Sequence, residues 1–174
     1  MTDLTERARK IRLLLLDVDG VLTDNRLFYG DNGIEYKAFH TRDGHGMVML
    51  RQAGIDLGII TGRTSEVVTR RMADLQVKYV YQGVPDKLPT FEKLLHECGL
   101  QPDQVAYMGD DILDLPLLRR VGLAGMPANA DPILKEHVHF ISQHPGGQGA
   151  VRELCELILK SQGAWDEIMA FYLR

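Results

Sequence analysis

With 174 residues, 45% of them hydrophobic and 25% charged, the chain has the composition of a globular domain and the length to bury about 70% of its unfolded surface, so a folded domain and not a disordered chain is expected. A formal net charge of −4 excludes a nucleic-acid polyanion as the expected partner. No stretch reaches the ~18 apolar residues of a membrane span and the N-terminal apolar run is shorter than a signal peptide needs, so the expectation is a cytoplasmic protein with no membrane partner.

In chain order, short apolar strands are expected at 13–18, 56–60, 78–81, 105–108, 122–125 and 138–141. Helical spacing separates them: Val67, Val68, Met72 and Leu75 in one segment, Leu88, Phe91, Leu94 and Leu95 in the next. This alternation predicts an α/β fold, a Rossmann-like, mostly parallel sheet with helices on both faces. A projecting β-hairpin is expected at about 26–39, where Asn32-Gly33 separates two aromatic-rich arms. A C-terminal helix is expected to stop at Gly163, leaving a tail at about 164–174. There Trp165, Ile168, Met169, Tyr172 and Leu173 form a short apolar stripe that needs a partner. Cys98 and Cys155 fall among apolar neighbours and are expected as buried, reduced thiols. His137 and His139 alternate on a strand, and His40, His45, His96 and His144 are scattered, which does not suggest zinc.

In such sheets the reactive crevice lies at the carboxyl ends of the strands. The first strand runs straight into Asp17, Asp19 and Gly20. Residues i and i+2 of a strand face the same way, so both carboxylates can address one space. "GDDILD" repeats the pattern with Asp110, Asp111 and Asp114. Together the two clusters supply enough oxygen ligands for a hard divalent cation such as Mg²⁺, which would also let an anionic phosphate approach. Two other strand ends carry Thr61-Gly62-Arg63 and Lys87, a hydroxyl, backbone N–H groups at a helix start and an ammonium.

"DVDGVLTD", "TGR", Lys87 and "GDDILD", in that order, resemble the haloacid dehalogenase superfamily of phosphotransferases. The resemblance implies that Asp17 is the nucleophile, Asp19 the acid/base, and Thr61 and Lys87 the holders of the phosphoryl oxygens. It implies a Mg²⁺ cofactor bound by Asp17, the Asp19 carbonyl and Asp110, with Asp111 and Asp114 behind them. Only the hairpin and one helix fit between Asp17 and Thr61, and one helix and one strand between Thr61 and Lys87. The chain thus resembles the capless branch, as a single domain over 1–174.

"FHTRDGHGM", "YQGVPDK" and "GGQGAVRELCELIL" are similar to the capless phosphatases of sugar-acid phosphates. This implies hydrolysis of 3-deoxy-D-manno-octulosonate 8-phosphate in lipopolysaccharide precursor synthesis, by a homo-oligomer, a tetramer, in which a neighbour's tail closes each site. Implied substrate contacts are Asp19, His40, Thr41, Arg42, Asp43, Gly44, Arg63, Arg71 and Lys87. Val48 stands where the family pattern has a basic residue, which leaves a nine-carbon sugar-acid 9-phosphate as the alternative. The "TGR" triplet favours the eight-carbon substrate. A phospho-accepting receiver domain would share the acceptor Asp, but it would not need an acid two residues later.

Overall fold

The computed structural model describes residues 4–174. The four-leucine run is the centre of the molecule. Leu13–Leu16 forms β1, and its side chains alternate between two buried faces: Leu14 and Leu16 join one core, Leu13 and Leu15 the other. β1 pairs in parallel with β4 (Asp56–Ile60) on one side and β6 (Val105–Met108) on the other. β5 (Tyr79–Tyr81), β7 (Leu123–Met126) and β8 (Phe140–Ile141) complete a six-stranded parallel sheet in the order β5-β4-β1-β6-β7-β8.

One core is covered by α1 (Leu4–Arg9), α2 (Thr41–Gln52), α3 (Glu66–Asp74) and α6 (Ala150–Ser161). The other is covered by α4 (Lys87–Cys98) and α5 (Leu115–Leu118). The expected sheet with helices on both faces is therefore present. No cap interrupts it: between Asp17 and Thr61 lie only the hairpin, α2 and β4, and between Thr61 and Lys87 only α3 and β5. Among the described residues no helix is long and apolar enough to cross a membrane.

Several expected boundaries move, each for a local reason. β1 ends at Leu16, because the Val18 carbonyl collects the N–H groups of Val21, Leu22 and Thr23 and coils the chain out of the ladder. β8 is shorter than the expected 138–141. The Ala124 N–H donates to His139 Nδ1 at 2.9 Å, so a side chain takes a ladder position. His137 sits in a 3₁₀ segment, Pro132–His137, and not on a strand. Cys155 is buried as expected, but Cys98, at the end of α4, is partly exposed.

The hairpin pairs β2 (Phe28–Tyr29) with β3 (Glu35–Tyr36). Its turn is wider than a two-residue loop: the Gly33 N–H bonds to the Gly30 carbonyl and Gly30 N–H to the Ile34 carbonyl, with Gly33 at φ 72°. This is a three-residue connection with a glycine bulge. Leu27, Phe28, Tyr29, Ile34 and Tyr36 stand exposed on it. The tail folds as α7 (Trp165–Tyr172), which lays Trp165 and Ile168 on the α2–α6 core and leaves Phe171, Tyr172 and Leu173 outside.

Candidate active site

The carboxyl ends of β1, β4 and β6 and the loop after β5 enclose a cavity of about 230 Å³. Asp17, Asp19, Asn25, Thr61, Arg63, Lys87, Asp110 and Asp111 line it. Asp17 is still tied to the sheet, its N–H donating to the Met108 carbonyl at 3.0 Å. The chain then turns through Gly20 at φ 91°. A Cβ on Gly20 would lie 2.0 Å from Asp110 Oδ2, so only glycine lets the two acidic turns touch. The turn is also braced from below. A Cβ on Gly146 would lie 1.7 Å from the Gly20 carbonyl oxygen, and the Gly147 N–H donates to the Val21 carbonyl.

Asp114 organises the second acidic turn. Its Oδ2 accepts the N–H groups of Asp110 (2.8 Å) and Asp111 (3.2 Å), which aims the turn at Asp17. Its Oδ1 accepts from Lys87 Nζ (2.7 Å) and Tyr107 Oη (2.5 Å). Lys87 is the first residue of α4, whose start is capped by Asp86 accepting the Leu88 N–H. Side chains of a helix lean toward its N-terminus, which sends Lys87 back into the cavity. Its Nζ lies 3.0 Å from Asp17 Oδ1, and its side chain is 4% exposed.

Burial raises the Asp17 carboxyl, Asp114 adds to the rise and the Lys87 ammonium opposes it, leaving it at about 6. Burial, then Asp17 and Asp114, push the Asp110 carboxyl up to about 8. Burial disfavours the Lys87 ammonium, yet Asp114 and Asp17 outweigh it and the net shift is upward.

Asp17, Asp110 and Asp114 bring carboxylate oxygens within 4.8 Å of one another. Asp17 Oδ1 is buried, with the Lys87 ammonium 3.0 Å away as its counter-charge. Three crowded carboxylates facing a single ammonium fit a hard cation with oxygen ligands. Asp114, with four donors already on its two oxygens, has least capacity left for an ion, while Asp17 and Asp110 have most.

The remaining expected substrate residues are not all gathered here. Arg63 and Lys87 line the cavity. His40 and Arg42 line a separate cavity of about 530 Å³, shared with His144 and Arg152. Thr41 is exposed. Arg71 is packed beneath Gly44 with its guanidinium 5.8 Å from the Phe39 ring, and its Nε is buried without a partner. Asp43 is buried, its carboxylate accepting the N–H groups of Gly149 (3.3 Å) and Arg152 (2.8 Å) at the start of α6. Val48 is partly buried against the α2–α6 core.

Three residues at the site escaped sequence reasoning. Tyr107 reads as an ordinary core residue of a buried strand. Asn25, which donates to Asp110 Oδ2 at 3.3 Å, follows the first acidic cluster with no distinguishing signal. Lys37, on the hairpin, reaches the Asp19 carboxylate, and no spacing rule links the two.

A family model described as haloacid dehalogenase-like hydrolase matches residues 80–154. The 3-deoxy-D-manno-octulosonate 8-phosphate phosphatase of Escherichia coli K12 is 44% identical over 165 residues, which cover 95% of this chain and 88% of that protein. The Moraxella catarrhalis phosphatase of the same name, solved with a magnesium ion, a phosphate ion and a KDO molecule, superimposes with a TM-score of 0.96 at 40% identity and covers 99% of both chains. The cobalt-bound Haemophilus influenzae deoxy-D-mannose-octulosonate 8-phosphate phosphatase gives a TM-score of 0.87 at 39% identity, over 90% of this chain and 92% of that one. Sequence kinship over nearly the whole length, together with the capless sheet and its paired acidic turns, shows that this chain belongs to the haloacid dehalogenase-like hydrolases, in the family of the 3-deoxy-D-manno-octulosonate 8-phosphate phosphatases.

Proposed function

We propose that the chain is a Mg²⁺-dependent phosphatase that hydrolyses 3-deoxy-D-manno-octulosonate 8-phosphate to the free sugar acid and phosphate, serving lipopolysaccharide precursor synthesis. The observation that carries this reading is Asp17: a buried carboxylate set between the Lys87 ammonium and the carboxylate of Asp110. In this reading Asp17 attacks phosphorus and the bond from phosphorus to the sugar oxygen breaks. Asp19 gives its proton to the departing oxygen. Water then attacks the aspartyl-phosphate as Asp19 takes a proton back, and phosphate leaves with Asp17 restored. Thr61 and Lys87 hold the phosphoryl oxygens in line, since positioning and charge neutralisation dominate this chemistry. Asp17, the Asp19 carbonyl and Asp110 hold the Mg²⁺, which supplies charge neutralisation against the phosphate dianion.

The same reading makes residues 1–174 one domain of a homo-oligomer, a tetramer, in the cytoplasm. The exposed apolar residues Phe28, Tyr29 and Ile34 on the hairpin support assembly. So does the separation of the His40 and Arg42 cavity from the Asp17 cavity, which a second copy can bridge. Unpaired Cys98 and Cys155 suit a reducing compartment. The deciding experiment is kcat/KM on sugar-acid phosphates of eight and nine carbons. The eight-carbon ester is expected to be preferred by about tenfold or more. Equal or better turnover of the nine-carbon 9-phosphate would reassign the substrate and make Val48 the residue to examine.

A further inference from the structure

Asp19 belongs to a closed ring of four alternating charges joining the catalytic loop to the hairpin. Its Oδ1 meets Lys37 Nζ. Lys37 Nζ lies 3.6 Å from Glu35 Oε1. Arg63 Nη2 donates to the same Glu35 oxygen at 3.1 Å, and Arg63 Nε closes the ring 3.7 Å from Asp19 Oδ2. Tyr29 Oη accepts a further bond from Arg63 at 2.7 Å.

The Lys37 side chain has no exposed surface. An ammonium shut away from water must find its counter-charges in the protein, and Asp19 and Glu35 are the acids in contact with it. The contact is therefore unlike a solvated surface pair, whose two side chains wander. Lys37 engages Oδ1 and fixes the plane of the Asp19 carboxylate. Oδ2, with only the longer Arg63 contact, stays free to exchange a proton with a substrate. Glu35 holds Lys37 and Arg63 together, so the hairpin strand β3 sets the direction of the acid.

We infer that Lys37 is a positioning residue for Asp19 and that Glu35 positions Lys37 in turn; this rests on the reading of Asp19 as the acid/base. In the step concerned, the bond from phosphorus to the sugar oxygen breaks while the proton on Asp19 passes to that oxygen. A displaced acid slows this step for a poor leaving group and hardly affects a good one.

The test compares kcat/KM on two esters, 3-deoxy-D-manno-octulosonate 8-phosphate, whose alkoxide must be protonated, and p-nitrophenyl phosphate, whose phenolate leaves unaided. Lys37→Met is expected to lose about 100-fold on the sugar ester and no more than about fivefold on the aryl ester, because general-acid help is worth about 10²–10⁴ and only the first ester needs it. Lys37→Arg is expected to recover most of the loss. Glu35→Gln is expected to move the ratio of the two esters in the same direction, which keeps the test alive if Lys37→Met does not fold by circular dichroism. Equal losses on both esters would show a merely structural role, and an unchanged ratio in the folded variants would overturn the proposal. Asp19→Asn separates the two readings. If that variant still hydrolyses the sugar ester at the wild-type rate, the acid itself is wrongly assigned. If it is inactive on the sugar ester while Lys37→Met and Glu35→Gln leave the ratio unmoved, only the positioning role fails.

Discussion

Replacing Asp114 by asparagine is the most informative single perturbation, because one side chain serves four buried or half-buried donors. Lys87 Nζ and Tyr107 Oη sit on Oδ1, and the Asp110 and Asp111 N–H groups on Oδ2. An amide keeps one acceptor oxygen. Whichever way it faces, its NH₂ confronts two of these donors and forfeits their bonds, although Lys87 keeps its contact with Asp17. At about 1–3 kcal/mol for each stranded donor, Asp114→Asn is expected to cost about 2–6 kcal/mol. That is a large share of the roughly 5–15 kcal/mol that holds a domain folded. The neighbouring Asp111 makes the control. It is exposed and caps a 3₁₀ turn through the Ile112 N–H at 2.6 Å, and asparagine caps as well as aspartate, so Asp111→Asn is expected to cost less than about 0.5 kcal/mol. Urea unfolding followed by circular dichroism, in EDTA and at one protein concentration, measures both. A loss below about 1 kcal/mol for Asp114→Asn, or one no larger than for Asp111→Asn, would refute the four-donor account.

Asp17→Asn is expected to abolish Mg²⁺-dependent hydrolysis while the far-ultraviolet circular dichroism stays native; turnover within about tenfold of wild type would remove Asp17 as nucleophile. The pH dependence of the metal-free protein follows from Asp17 at about 6 and Asp110 at about 8 in the fold against the ordinary 3.8 of an aspartate in the unfolded chain. Raised carboxyls bind protons more tightly folded than unfolded, so their stabilisation is complete below about pH 4 and is lost as pH rises through 6 to 8. His139, lowered by burial and then by Arg7, works in the opposite sense around its usual value. The melting temperature in EDTA is therefore expected to fall between pH 5 and 8, and added Mg²⁺ to restore more of it at pH 8 than at pH 5. A melting temperature that rises over this range would contradict the burial of the two acids. Gly146→Ala, whose Cβ would stand 1.7 Å from the Gly20 carbonyl oxygen, is expected to lower kcat at least about tenfold by shifting the first acidic turn. Kinetics indistinguishable from wild type would show that the brace gives way freely.

Much of this is legible in the amino-acid sequence. A short run of leucines entering an acid, in a chain of alternating strands and helices, reads as a strand buried on both faces that surfaces at its end, and β1 is that strand. Lys87 was legible because Pro89 and the apolar spacing behind it mark a helix start at a strand end. Tyr107 was not: a phenol in a fully buried strand differs from its apolar neighbours only by an oxygen whose partner, Asp114, is defined by the fold. Nor was the Lys37 contact, because a hairpin lysine is solvated by default and only the fold of the arm over the first acidic turn encloses it. His139 misled the strand boundary because a ring nitrogen can stand in for a backbone carbonyl, and no periodicity rule anticipates that. Cys98 looked buried from its neighbours, but it lies in the last turn of α4, just before the left-handed Gly99, where the helix face turns toward solvent.

The floor beneath the first acidic turn is made of Gly146 and Gly147, from the far end of the polypeptide. A ribosome that has released everything through Asp114 has therefore delivered every carboxylate of the cavity and none of the support beneath it. The emerging chain thus presents its acids early and the floor beneath them late, so a chain that stops after β8 has all the acids and lacks Gly146 and Gly147.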